Sequence, residues 1–404
     1  MEIKKDKEII ERILKKGVEQ ILPTEDALRN LLESGKRLNI YQGFDPTADT
    51  LHIGHTVGMR KLEDFRKLGH HVIFLVGDFT ARIGDPSDKT ATRQMLTKEE
   101  VEQNMQGYVE QASKIIDINN KENPVEVLYN SEWLEKLNFS DIIKLASKFT
   151  VQQMLKREMF QKRLDKNKPI HLNEFLYPVM QGYDCVMMNI DVEIGGNDQL
   201  FNMLAGRDLI MSELGKEKIV LTTKLLETAD GIKMGKTEGN MIKMNDKPED
   251  IYGKVMAFND DMILDALEIL TFANMNEVEE YKKRLDSGEN PMILKKELAF
   301  KITSEITSEK EAKQAQKFFE AVFQNKDKDV EIPEKEVSAK EISLNQLLVD
   351  IDFASSKSEA KRLIEQGAVK IGGKKITQYN YPINTSNEPE VRVGRKLCKI
   401  IFKA

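Results

Sequence analysis

Apolar positions change their spacing in blocks along this 404-residue chain. Near the start, Ile9, Ile10, Ile13, Leu14 and Val18 recur at intervals of three and four, the spacing of an amphipathic helix. A strand-like stretch then covers 38–43, beginning Leu38-Asn39-Ile40-Tyr41 and running into the turn-rich Gly43-Phe44-Asp45-Pro46-Thr47-Ala48-Asp49-Thr50. Helical spacing returns over 53–68, and 71–76 reads as a second strand. The same alternation recurs at 182–226, where Asp191-Val192-Glu193-Ile194 ends in Gly195-Gly196 and a helix starts at Gln199. Strand, helix and strand in succession predict an α/β fold. The sheet is a parallel, doubly wound, Rossmann-like one with helices on both faces. Ligands in such sheets bind beyond the carboxyl ends of the strands, where these glycine-rich loops lie.

The remaining blocks are less mixed. Residues of about 97–165 read as a mostly helical insertion, and 247–323 as helical throughout, with stripes such as Ile263, Leu264, Leu267 and Leu270. A polar stretch with a proline, 324–341, reads as a linker. After it comes a small α/β module, 343–404. There Ser356-Lys357-Ser358-Glu359 forms a capping box for a helix through Ile364, stopped by Gly367. Val369–Ile376 reads as a hairpin about Gly372-Gly373. The expected domains are 1–245, 246–323 and 343–404.

Charge changes this picture in one place. The chain carries −6 overall, yet 343–404 holds 11 Lys/Arg against 6 Asp/Glu, so the module is +5 and the rest is −11. A basic module on an acidic body predicts a local nucleic-acid contact; a solvated lysine-rich tail is the alternative on charge alone. The longest apolar run, Val72–Val76, is far too short to span a membrane. The first residues, Met1-Glu2-Ile3-Lys4-Lys5-Asp6, lack the apolar segment of a signal peptide. Two cysteines, Cys185 and Cys398, fit a reducing cytosol and cannot build a zinc site.

Two loops carry candidate chemistry. His52-Ile53-Gly54-His55 sits between a strand and a helix N-terminus, where backbone N–H groups and the helix dipole attract anions. Two imidazoles three residues apart there can reach one phosphate. A metal pair is the rival reading, but no third ligand is suggested. The second loop is Lys233-Met234-Gly235-Lys236-Thr237, opened by Asp230-Gly231. It is not a Walker loop: only three residues separate Gly231 from Gly235, and no strand immediately precedes it.

Together these loops resemble the two signatures of class I aminoacyl-tRNA synthetases. Gly235 and Thr237 stand where serine is usual, but both lysines are kept. Five further motifs narrow the resemblance to the bacterial tyrosyl-tRNA synthetases: Tyr41-x-Gly43-Phe44-Asp45-Pro46-Thr47, Gly84-Asp85-Pro86-Ser87, Asn130-x-x-Trp133, Tyr177-x-x-x-Gln181-x-x-Asp184 and Gly195-Gly196-Asn197-Asp198-Gln199. They come in the family's order and span essentially the whole chain.

The resemblance implies site residues. Tyr41 and Asp184 would bond the substrate phenol, and Asp85, Tyr177 and Gln181 its ammonium group, with Gln199 also on the amino-acid side. Thr47, His52 and His55 would contact the phosphates. Gly43, Asp45, Gly54, Gly196 and Asp198 would line the ATP site. Lys89, Arg93, Lys233 and Lys236 would grip the leaving pyrophosphate. The terminal module would be an S4-type RNA-binding domain presenting Lys357, Lys361 and Arg362, and 246–323 an anticodon-recognition domain. Further implications are L-tyrosine, ATP and tRNA(Tyr) as substrates, Mg2+ arriving with ATP and no resident cofactor or metal, a homodimer, a cytoplasmic location and no membrane partner. A tryptophanyl-tRNA synthetase, a small-molecule adenylyltransferase and an inactive RNA-binding paralogue stay open as alternatives. A phenol needs both a donor and an acceptor, which Tyr41 and Asp184 can supply, and this favours tyrosine.

Overall fold

The computed structural model describes residues 2–87, 95–226, 241–325, 334–337, 341–354, 356–379, 381–384, 390–394 and 396–402. The chain divides into two compact units, Met1–Lys313 and Gln314–Ala404.

The first unit is built on a six-stranded sheet: β1 (Val18–Leu22), β2 (Asn39–Phe44), β3 (His71–Val76), β4 (Glu126–Tyr129), β5 (Val192–Gly196) and β6 (Ile219–Thr223). Their spatial order is β1-β6-β5-β2-β3-β4, all pairs parallel except β1–β6. From β2 the chain winds outward through β3 to β4, then returns to β5 on the other side of β2. The β2/β5 boundary is therefore the topological switch point, where such sheets open a crevice. Tyr41 on β2 stands directly opposite Glu193 on β5.

Three elements depart from the pattern read in the sequence. The first helix stops at Lys15, and Val18 begins β1 instead of ending the helix. Gly17 makes the break with φ +61°, which a β-carbon resists. The insertion expected to be mostly helical contributes β4, which extends the sheet beside β3. Its residues Glu126-Val127-Leu128-Tyr129 are too few for their period to separate strand from helix. Residues 334–337, inside the expected linker, form a strand paired in parallel with Lys396–Phe402. Only Val337 of those four is buried, so backbone pairing rather than burial places them.

Two helices cross the sheet beside the switch point, Leu172–Met187 and Leu200–Leu214. They touch through glycines: a β-carbon on Gly182 would lie 3.3 Å from the Gly206 Cα and 2.6 Å from Leu209. Helices Pro248–Val255, Ile263–Leu270, Met275–Asp286 and Pro291–Ile306 supply the expected helical region, with Ile251, Tyr252, Val255, Leu294 and Leu298 buried. No helix among the described residues is long and apolar enough to cross a membrane.

The second unit has its own core, which includes Leu344, Leu347, Leu348, Ile351, Ala360, Ile364, Val369, Val391 and Ile400. The hairpin is present: Val369–Ile371 pairs with Lys374–Ile376, and Gly372 and Gly373 take φ +53° and +80°. Ser356 caps the Lys357–Glu365 helix by accepting from the Glu359 N–H at 3.2 Å.

Candidate functional site

The crevice at the switch point has a buried end and a half-open end. At the buried end the Tyr41 hydroxyl donates to Glu193 Oε1 at 2.6 Å. Gln181 Nε2 donates to the same oxygen at 2.9 Å, and Lys218 Nζ pairs with Glu193 Oε2. Asp184 lies on the Leu172–Met187 helix one turn beyond Gln181. Its Oδ1 accepts from Trp133 Nε1 at 2.7 Å and its Oδ2 from Asn130 Nδ2 at 3.2 Å. Tyr41, Asp184, Glu193 and Lys218 are 1, 2, 1 and 0% exposed, so this end is dry. Burial pushes the Asp184 carboxyl well above its ordinary range, against the lowering pull of Trp133 and Asn130. Burial likewise raises the Tyr41 phenol.

Midway, Tyr177 donates from its hydroxyl to Asp45 Oδ2 at 2.8 Å, while Thr80 Oγ1 donates to Asp45 Oδ1 at 2.8 Å. Asp85 accepts from Gln199 Nε2 at 2.6 Å and from Ser87 N and Oγ at 3.0 and 2.7 Å. Arg157 secures the same turn through a 2.6 Å bond from Nη2 to Ser87 Oγ. Tyr177, Gln181 and Asp184 thus act from one helical face, as their spacing predicts. They hold Asp45, Glu193 and the Trp133–Asn130 pair respectively.

The half-open end is the loop after β2. Ile53–His55 form one 3-10 turn, followed by the Thr56–Lys67 helix. Each imidazole accepts a local backbone N–H through Nδ1: His55 from His52 N at 3.0 Å, His52 from Gly54 N at 3.1 Å. A neutral ring that accepts at Nδ1 carries its proton at Nε2, so both residues are set as Nε2–H donors. The rings stack with centroids 3.8 Å apart. Thr47 and Gly43 are exposed, and Asp198 is half-buried just past β5. A β-carbon on Gly196 would lie 2.5 Å from Asp198 Oδ1 and would make that carboxylate shift; Gly43 meets only ordinary contacts.

Lys233 and Lys236, like Lys89 and Arg93, lie outside the described residues. The segment leaving the second signature is nonetheless stitched to the first. Ile53 N donates to Ile242 O and Met244 N to Leu51 O, both at 2.9 Å, with His52 bridging Lys243.

Sequence reasoning missed Glu193, Lys218 and Arg157. A signal existed for Glu193, an acid inside a short strand that is otherwise apolar and ends in two glycines. Its partner lies 25 residues away, and only the strand pairing brings the two together. Among the described residues no group of acids, histidines and cysteines could hold a metal ion.

Residues 33–324 match the family described as tRNA synthetases class I (W and Y), and 343–388 match the S4 domain. The tyrosine–tRNA ligase of Thermotoga maritima is 45% identical over 388 residues, 95% of each chain. That of Carboxydothermus hydrogenoformans is 44% identical over 404 residues, 97% of each. The chain belongs to the tyrosine–tRNA ligases. Among solved structures of this family, a C-terminally truncated mitochondrial tyrosyl-tRNA synthetase of Aspergillus nidulans shares the fold. It has a TM-score of 0.67 at 22% identity, covering 79% of this chain and 95% of its own. The tyrosyl-tRNA synthetase of Archaeoglobus fulgidus, complexed with L-tyrosine, gives 0.59 at 22%, covering 76% and 99%. The loop after β2, the end of β5 and the Leu172–Met187 helix meet at the switch point in this tyrosine–tRNA ligase fold, whereas Lys357, Lys361 and Arg362 are exposed on their own helix in the second unit.

Proposed function

We propose that this chain activates L-tyrosine with ATP in the β2/β5 crevice and passes the tyrosyl group to the terminal adenosine of tRNA(Tyr). One observation carries the reading: β2 bears a buried hydroxyl, Tyr41, and leads directly into a loop with two imidazoles set as donors. Tyr41 and Asp184 receive the phenol. The Gln181 carbonyl oxygen remains for the ammonium group, beside Tyr177 and Asp85, with Gln199 holding Asp85. The tyrosine carboxylate attacks the α-phosphate, a bond forms to phosphorus, and pyrophosphate leaves. His52, His55 and Thr47 stabilise the charge gathering on the phosphate oxygens, a role for preorganised donors that needs no acid or base. Gly43, Asp45, Gly54, Gly196 and Asp198 line the nucleotide, and Lys89, Arg93, Lys233 and Lys236 hold the pyrophosphate. Mg2+ comes with ATP, held by its phosphates. A hydroxyl of the tRNA terminal ribose then attacks the tyrosyl carbonyl and AMP departs.

Lys357, Lys361 and Arg362 meet tRNA phosphates. We read the active form as a cytoplasmic homodimer. In support, Phe139, Ile143, Leu172 and Met187 are 77, 54, 79 and 48% exposed on two helices that pack on each other. An apolar groove of about 60 Å³ opens on the same helices, lined by residues including Leu137, Ile142, Leu176 and Met180. Exposed apolar side chains grouped in this way suit burial against a second copy. The buried free thiols Cys185 and Cys398 are in keeping with a reducing compartment.

ATP–pyrophosphate exchange across all twenty amino acids, followed by charging of tRNA, tests the function. Tyrosine alone should support rapid exchange, and comparable exchange with tryptophan would overturn the reading. Sedimentation at micromolar concentration reads the dimer.

A further inference from the structure

The dry end holds a charge pair that the reaction as described does not use. Glu193 and Lys218 are both fully enclosed, and a buried ion pair is at best a modest stabiliser. Their surroundings are arranged to keep them. Lys218 Nζ is held by Met203 O at 2.9 Å, and Cys185 Sγ lies 3.4 Å from both Lys218 Nζ and Glu193 Oε2. Gly206 leaves the space: a β-carbon there would lie 2.6 Å from Lys218 Nζ and 2.9 Å from Cys185 Sγ.

The consequence lies in how the protons are shared. Glu193 is ion-paired with Lys218, and a carboxylate only accepts hydrogen bonds. The Tyr41 hydroxyl has a single proton and two polar neighbours, Glu193 Oε1 at 2.6 Å and Cys185 Sγ at 3.1 Å; the carboxylate oxygen is the nearer and the stronger acceptor, so it takes the proton. Tyr41 therefore offers only lone pairs to anything else. Gln181 Nε2, donating to the same carboxylate oxygen, reinforces this orientation.

We propose that Glu193, held by Lys218, is a specificity-determining positioning residue: by taking the Tyr41 proton it turns the Tyr41 hydroxyl into an acceptor, which selects amino acids that can donate from the para position. The proposal rests on the reading that Tyr41 and Asp184 receive the phenol. A directional chain follows, from the substrate phenol to Tyr41 Oη and on to Glu193. Phenylalanine would leave Tyr41 and Asp184 facing a C–H. A fluorine would set one acceptor against another.

Two measurements test this. With the unaltered protein, 4-aminophenylalanine, whose aniline donates, should compete with tyrosine at least 10-fold better than 4-fluorophenylalanine, which cannot. Equal competition would overturn the proposal. The second uses Glu193→Gln/Lys218→Met, which removes both charges and leaves no buried ion unpaired, with a thermal melt to verify folding. Tyrosine KM should rise about 10–100-fold, the cost of misaligning one buried hydrogen bond. KM for ATP should stay unchanged, and the tyrosine-over-phenylalanine ratio should fall by the same 10–100-fold. If the ratio holds while both amino acids weaken alike, Glu193 merely packs. Tyr41→Phe separates the two layers. If it leaves the ratio intact, the phenol site itself is misplaced. If it collapses the ratio while the charge-free pair does not, only the Glu193 proposal fails. In the Tyr41→Phe background the Glu193 change should have no further effect on the ratio.

Discussion

The two ends of the crevice solve opposite problems. The phenol end is closed and fully paired. Tyr41, Asp184, Glu193 and Lys218 all have protein partners there. The phosphate end rests on one turn of 3-10 helix whose imidazoles are half-exposed and oriented by two local backbone bonds. Buried polar groups left unmatched are costly, so the closed end can refuse a wrong side chain. Donors at an open end gain little from a bound ground state. They act where charge develops, and so govern rate. On the proposed reading, choice of amino acid and speed of activation are assigned to different ends of one crevice.

Replacing the phenol partner should break the comparison most visibly. Tyrosine should exceed phenylalanine in exchange kcat/KM by ~10⁴–10⁵, the figure established for phenol-binding synthetases as a class. Asp184→Ala should cut that ratio by about 10–100-fold, mainly through tyrosine, because Trp133 and Asn130 lose their acceptor as well. An unchanged ratio would mean that Asp184 serves only the fold.

At the other end, His52→Ala or His55→Ala should each lower the rate of adenylate formation by about 10²–10³, the loss typical of one transition-state donor. Equilibrium binding of tyrosine should hardly move. Single-turnover kinetics against fluorescence titration reads the split, and an equal loss in both would erase the division of labour.

The floor beneath the dry end can be titrated. His70 is buried, and its Nδ1 accepts from Leu38 N at 3.3 Å, just ahead of β2. Burial lowers its pKa to about 4 from an ordinary value of 6.5. Between those values the unfolded chain binds the extra proton, so the contribution is full above pH 6.5 and lost as pH falls to about 4. It amounts to at most about 3 kcal/mol. His70→Asn should flatten the drop in urea midpoint between pH 7 and 5. If the variant keeps the wild-type slope, other groups titrate.

The smallest effect belongs to the second unit. Lys357→Ala/Lys361→Ala/Arg362→Ala should leave pyrophosphate exchange intact. KM for tRNA should rise about 10-fold, and the log–log salt slope of tRNA binding should fall by about 2–3, one counterion or slightly less per lost phosphate contact. An unaltered slope would place the RNA contact elsewhere.

The parts legible in the sequence were those with local signals. The parallel core strands, the Gly372-Gly373 hairpin and the helical face of Tyr177, Gln181 and Asp184 all follow from spacing within one element. What escaped depends on register between elements. β1 was absorbed into a helical period because Val18 fitted it, and only pairing with β6 makes that segment a strand. β4 is four residues long, too short for a period. Glu193 contradicts the apolar pattern of its strand, Lys218 stands just ahead of β6, and each makes sense only beside the other. Asn130 and Trp133 were visible as a motif, but their shared grip on Asp184 was not. Lys89, Arg93, Lys233 and Lys236 lie outside the described residues.

β5 also acts as a gauge. On the proposed reading, Glu193 lies behind the phenol pocket and Gly196, three residues further on at the end of the same strand, borders the nucleotide. Extended backbone makes that interval roughly 10 Å, on the order of the distance from a phenol oxygen to the carboxyl of the same amino acid. The Tyr41–Glu193 register locks the gauge to β2, and a slip of one residue would turn both side chains to opposite faces. An amino acid longer or shorter by one methylene therefore meets a limit set by the main chain, which no change of side chain can reset.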